Sequence, residues 1–228
     1  MCGRAYETYT DEELEMAYFN KKSKRKFFED RKPNYNLCPT QASPIVLVKD
    51  GARTIELMRF GLVPAWAKTL KDAAKYSLIN AKGEEITEKR TYKGPFEKRR
   101  CVVPLSGFYE WKRIGEKKTP FAIHLKDESI MSVAGVYENW IDKETGEHID
   151  SFSIITCGPN KFMQNIHNRM PVILQQEALE EWLDPENKNL AKLQKMLKAC
   201  DDNLLEAFEV SKLVNSPKNN SSQLLIKI

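Results

Sequence analysis

The sequence predicts an α+β fold, one domain over residues 1–228, with mainly antiparallel sheet flanked by short helices. Three observations carry this. β-Branched and apolar runs recur through the middle of the chain, and two pairs of them flank the turn signals Asp50-Gly51 and Thr145-Gly146. Helical spacing is confined to short stretches. Strands and helices do not alternate as βαβ units, which argues against a doubly wound parallel sheet.

In chain order, TDEELEMAYF predicts the first helix. Thr10 and Glu13 form a capping box, and Leu14, Ala17 and Tyr18 share a face. The basic stretch KKSKRKFFEDRK reads as solvated, with Phe27 and Phe28 turned inward. PIVLVKDGARTIELMRFGLVPAW predicts a hairpin turning at Asp50-Gly51. Further strands are expected at RRCVVPLSGFYEW, TPFAIHLK and SIMSVAGVYENW, and ENWIDKETGEHIDSFSIIT reads as a second hairpin. QQEALEEWL and NKNLAKLQKMLKAC predict helices whose Leu179, Trp182, Leu190, Leu193 and Leu197 belong to the core. Pro217 and an Asn/Ser cluster mark a loop, after which LLIKI reads as a final edge strand.

Composition narrows the function classes. The chain is 41% apolar and 30% charged, which suits a globular protein with a core. No apolar run reaches the length of a membrane span, and the first dozen residues are too polar for a secretory signal, so a cytoplasmic location is expected. The net charge of +4 favours nucleic acid only weakly. Five cysteines without a C-x-x-C pair argue against a disulfide framework and a structural zinc site, and Cys101 and Cys157 read as small buried hydrophobes. Without a P-loop or G-x-G-x-x-G, no nucleotide cofactor is expected.

Four residues stand out chemically. Cys2 follows the initiator methionine. Loss of Met1 would leave an amine of pKa about 7.7–8.0 and a thiol of about 8.5 on one residue. Such an aminothiol condenses with an aldehyde to an imine, and its thiol then closes a five-membered thiazolidine with the advantage of an intramolecular step. Alternatively the amine serves as base for the thiol in an N-terminal-nucleophile hydrolase. Glu110, amid Phe108, Tyr109 and Trp111, is either a proton-handling carboxyl in apolar surroundings or the partner of a nearby arginine. If it lies on a strand, Phe108 and Glu110 take one face and Tyr109 and Trp111 the other. His167, beside Arg169 and Met170-Pro171, is either an acid/base group or a satisfied structural histidine, whereas His124 and His148 read as surface residues. Asn80 either caps the chain or acts as a fixed donor to an oxygen.

The segments MCGR, PTQ, FGLVPAW, LINAKGE, RRCVVPLSGFYEW, AGVYENW, IHNRMPVIL and VNSPKN, in this order over almost the whole chain, resemble the SRAP family, the SOS-response-associated peptidase or abasic-site-processing proteins. The resemblance implies a barrel-like sheet and no cofactor. It implies a monomer that binds single-stranded DNA carrying an abasic site, becoming associated with the nucleoid at damaged DNA. It also implies a covalent crosslink through Cys2 that shields the lesion, with Schiff-base, lyase-like chemistry and autopeptidase activity. Asn80 then matches a residue that positions the sugar, Glu110 one that transfers protons and reverses the crosslink, and His167 one that assists ring opening. Thr156 matches a polar residue of the same pocket, Arg4 and Arg169 basic residues near the DNA backbone, and Trp66 an aromatic wedge against bases. The family pattern N-A-R-x-E-T reads NAKGEE in this chain. Lys82 in place of arginine keeps the charge but loses the bidentate fork, so a less oriented phosphate contact is expected there. Two other readings make distinct predictions: a peptidase indifferent to abasic DNA, and a DNA-binding module that forms no covalent product.

Overall fold

A computed structural model describes residues 2–19 and 31–228 of the chain. The inward placement expected for Phe27 and Phe28 lies outside the described residues. Strands are β1 (Ala5–Glu7), β2 (Asn34–Leu37), β3 (Ala42–Lys49), β4 (Ala52–Phe60), β5 (Asn80–Lys82) and β6 (Arg100–Leu105), then β7 (Gly107–Ile114), β8 (Lys117–Leu125), β9 (Met131–Ile141), β10 (His148–Cys157), β11 (Met170–Pro171) and β12 (Leu205–Glu209). Helices are α1 (Asp11–Phe19), α2 (Leu70–Ala74), α3 (Arg90–Lys98), α4 (Lys161–Gln164), α5 (Leu179–Leu183) and α6 (Leu190–Lys195).

Five strands close on themselves in the order β10-β4-β3-β6-β9, with β9 pairing back onto β10. The β3–β4 hairpin turns at Asp50 and Gly51, whose φ values of 52° and 74° match a two-residue turn of the primed type. The β9–β10 hairpin turns at Gly146, as the sequence predicts. Closure itself is parallel: Ser151 and Phe152 of β10 pair with Arg59 and Phe60 of β4. Inside, the Phe60 and Phe152 rings stack 5.2 Å apart, both fully buried. The strands are buried on both faces: Ile45, Val46 and Leu47 of β3 and Cys101, Val102 and Val103 of β6 all belong to the main core.

A second sheet, β12-β8-β7-β1-β2, packs beside the barrel. The run RRCVVPLSGFYEW supplies a strand to each sheet and breaks at Ser106, whose Oγ accepts the N–H groups of Thr8 and Tyr9. Beyond the break, Phe108 joins the main core while Tyr109 and Trp111 face a smaller cluster around Tyr6 and Val214, the face division expected of a strand. A Cβ on Gly107 would lie 2.2 Å from the Tyr6 hydroxyl and 2.4 Å from the Ile123 carbonyl, so only glycine fits this crossing.

The capping box forms: Glu13 N–H donates to Thr10 Oγ1, and Thr10 N–H donates to a Glu13 carboxylate oxygen. QQEALEEWL begins as a 3₁₀ turn before α5, and α6 is shorter than its sequence pattern, yet Leu179, Trp182, Leu193 and Leu197 are buried as expected. The tail LLIKI is not a strand. Ser222–Leu225 form a 3₁₀ turn that buries Leu224, and only a single bridge, Val210 to Lys227, continues toward β12. His124 is half-buried rather than on the surface, because β12 lies alongside and sets Phe208 against its ring. No helix among the described residues is long and apolar enough to cross a membrane.

Candidate functional site

Strand β7 carries Glu110 and brings the chain start to it. β1 pairs antiparallel with β7, Ala5 opposite Phe108, and the Tyr109 N–H donates to the Arg4 carbonyl one step further along. Cys2 sits in this corner, buried against the main core. Burial pushes its thiol well above the usual range, and the negative charge of Glu110 adds to the shift. The thiol is therefore a protonated group at neutral pH that needs a proton acceptor to react.

His167 comes from the opposite side. Asn160 caps α4 by accepting the Met163 N–H, and the His167 N–H closes the last turn onto the Met163 carbonyl. The Arg169 N–H donates to His167 Nδ1 at 3.1 Å, which leaves the proton of a neutral imidazole on Nε2. Nε2 lies 3.8 Å from Glu110 Oε2. Both residues line an open cleft of about 790 Å³.

Asn80, Lys82 and Thr156 are aligned by one parallel pairing, in which Ile154 lies opposite Asn80 and Thr156 opposite Lys82. The Tyr92 hydroxyl holds the Asn80 carbonyl. The Asn80 side-chain nitrogen and oxygen are both buried and have no hydrogen-bond partner among the described residues. Buried amides are normally satisfied, so this side chain has a donor and an acceptor to spare.

The expected phosphate contacts are placed differently. Arg169 forks onto both oxygens of Glu84 at 2.8 and 2.9 Å and also donates to the Thr156 carbonyl and hydroxyl. This pairing holds the Glu84 carboxyl below its ordinary range. Thr156 is fully buried, and its hydroxyl is committed to the Ala81 carbonyl and to Arg169. Lys82 is exposed and pairs with Glu85 at 3.0 Å. The Arg4 guanidinium clamps Asn36 and the carbonyls of Val214 and Asn215. Trp66 is exposed, its indole N–H held by the Thr91 hydroxyl and its ring edge-on to exposed Tyr76. Thr91 adjoins Tyr92 on α3, which links this aromatic pair to the Asn80 side of the site.

The sequence reading missed other residues that line the cleft, among them Trp111, Lys112, Arg113 and Lys118 from β7 and β8, and Asn215, whose side-chain oxygen accepts the Trp111 indole N–H at 2.8 Å. The available signal was Gly115 between two short polar runs; its φ of 59° makes the turn of this hairpin. Among the described residues no group of three or more His, Cys, Asp or Glu side chains could hold a metal ion.

The family model for SOS response associated peptidase matches residues 1–217. A Bacillus subtilis (strain 168) protein named abasic site processing protein YoaM is 40% identical over 231 residues, covering 99% of this chain and 97% of its own. A second protein of that organism, abasic site processing protein YoqW, is 43% identical over 195 residues and 85% of each chain. A crystal structure of a protein from Bacteroides thetaiotaomicron matches the fold with a TM-score of 0.86 at 29% identity, over 100% of both chains.

Proposed function

Because the chain belongs to the SOS response associated peptidase family, we propose that it processes abasic sites in DNA, capturing the lesion covalently in a single strand. The observation that carries this reading is the corner where a buried cysteine thiol feels the Glu110 carboxylate, which in turn faces His167 Nε2.

The reaction requires Met1 to be absent. His167 and Glu110 then move protons as the sugar ring opens to its aldehyde. The Cys2 amine attacks the aldehyde carbon, a C–N bond forms, and the carbonyl oxygen leaves as water. The thiol adds to the resulting imine carbon. Its proton passes through Glu110 to the nitrogen, so the product is a neutral thiazolidine and one water has been lost in total. The unpartnered Asn80 amide is suited to hold a sugar hydroxyl during these steps. Trp66 and Tyr76 offer faces and edges on which bases stack.

A buried, protonated thiol is a poor nucleophile toward an unactivated amide, whereas an imine carbon is electrophilic enough to take it with Glu110 as base. This favours aldehyde capture over a peptidase acting on other chains. The test mixes Met1-processed protein with a single strand bearing one abasic site and measures intact mass. The expected product is protein plus DNA less one water, and Cys2→Ala abolishes it. A Cys2→Ala protein that still forms the full adduct overturns the assignment.

A further inference from the structure

The cations expected to meet DNA are already engaged within the protein. Arg169 is forked onto Glu84, Lys82 is paired with Glu85, and Arg4 donates to side-chain and main-chain oxygens. A different set is unengaged. Lys112, Arg113 and Lys118 line the same cleft as Glu110 and His167, and among the described residues their side chains form no ion pair and no hydrogen bond. The register sets Arg113 directly opposite Lys118, and Lys117 joins them at the turn. Like charges facing each other across an antiparallel pair repel, so folding stability does not explain their placement. The opposite wall of the cleft presents the neutral amides Gln164, Asn165 and Asn168 instead of carboxylates that would neutralise them.

We propose that the tip of the β7–β8 hairpin is a phosphate track, on which Lys112, Arg113 and Lys118 neutralise the backbone of the strand that enters the cleft. This rests on the reading of DNA as the substrate. The occupant is the polyanion of the proposed substrate: the cations sit on two successive rungs of the hairpin, Lys112 opposite Thr119 and Arg113 opposite Lys118, and Lys112 lies two residues beyond Glu110 on the strand. Released counterions make such binding salt-dependent, with a slope of about 0.7 per neutralised phosphate for single strands.

The test follows binding of a labelled, undamaged single strand by fluorescence anisotropy over a salt series. The triple variant Lys112→Gln/Arg113→Gln/Lys118→Gln is compared with Lys143→Gln/Lys188→Gln/Lys195→Gln, which removes the same charge from exposed positions elsewhere. The hairpin variant is expected to lose at least tenfold in affinity at low salt and to flatten the slope of log K against log salt by about 2, as three lost phosphate contacts require. The control variant is expected to change neither. An unchanged slope in a folded hairpin variant, checked by thermal unfolding, overturns the track while wild-type binding and crosslinking leave the substrate reading intact. Equal flattening in both variants also overturns it, because net charge would then explain the effect. A wild-type protein that neither binds the single strand nor forms the abasic adduct overturns the substrate reading and the track together.

Discussion

Glu7 shows at single-residue resolution how burial decides a charge. It is 2% exposed, accepts a hydrogen bond from the Ser43 hydroxyl, and is pushed up from 4.5 to about 7 because desolvation outweighs that bond and the field of Arg31. A carboxyl raised in the folded state binds its proton more tightly there than in the unfolded chain. Its contribution is therefore fully present below about pH 4.5 and is lost as pH rises through 7. Glu7→Gln is expected to gain stability on wild type as pH goes from 5 to 8, by up to about 3 kcal/mol in urea unfolding; a difference that does not vary with pH refutes the cause. At this scale the sequence singled out Cys2, Glu110 and His167 by their local settings, and the structure sets Glu110 against both the Cys2 thiol and His167 Nε2. The engagement of Arg4 and Arg169 was not, since their partners Val214 and Glu84 are far away along the chain.

Elements followed local chemistry where local chemistry was sufficient. The Asp50-Gly51 turn and the Thr10–Glu13 capping box were readable because both depend on adjacent residues. Helix α3 was not, since it contains Gly94 and Pro95. Its Tyr92 and Phe96 are buried, and that packing outweighs poor helix propensity. The break between β6 and β7 is set by close approach rather than by pattern. Gly107→Ala drives a methyl group into the Tyr6 ring and the Ile123 carbonyl, the second of which is backbone and cannot yield. The expected loss is about 3 kcal/mol or more, measured as a fall in the unfolding midpoint. A fall of less than about 0.5 kcal/mol would show that the two sheets can shift apart at this point.

The whole molecule is tied together by groups that reach across elements. Arg100 begins β6, is buried, and forms no ion pair among the described residues. Its guanidinium instead donates to the carbonyls of Phe96 and Glu97 at the end of α3 and of Trp182, Asp184 and Asn187 around the end of α5. One side chain thus terminates two helices and fixes both against the barrel. Arg100→Met keeps much of the volume but leaves these carbonyls without their donor, and a loss of about 3 kcal/mol is expected. Chemical denaturation reads it, and a neutral result would mean that water replaces the guanidinium. The barrel was expected from the family resemblance, but its parallel closure was not legible, since no local pattern specifies which distant strand β10 meets.

That closure has a consequence for the order of events in folding. The β3–β4 and β9–β10 hairpins join neighbours and can form quickly, whereas β10 must find β4 and β5 across long stretches of chain. Contacts of that span form slowly because the loop must close before they contribute. The pairing of Ile154 with Asn80 belongs to that late step, and the Asn80 amide and the Arg169–Thr156 contact are assembled with it. The proposed capture of an aldehyde is therefore expected to return with the slowest refolding phase, well after most of the secondary structure. A partly folded chain would carry a cysteine near its start but no machinery to commit it.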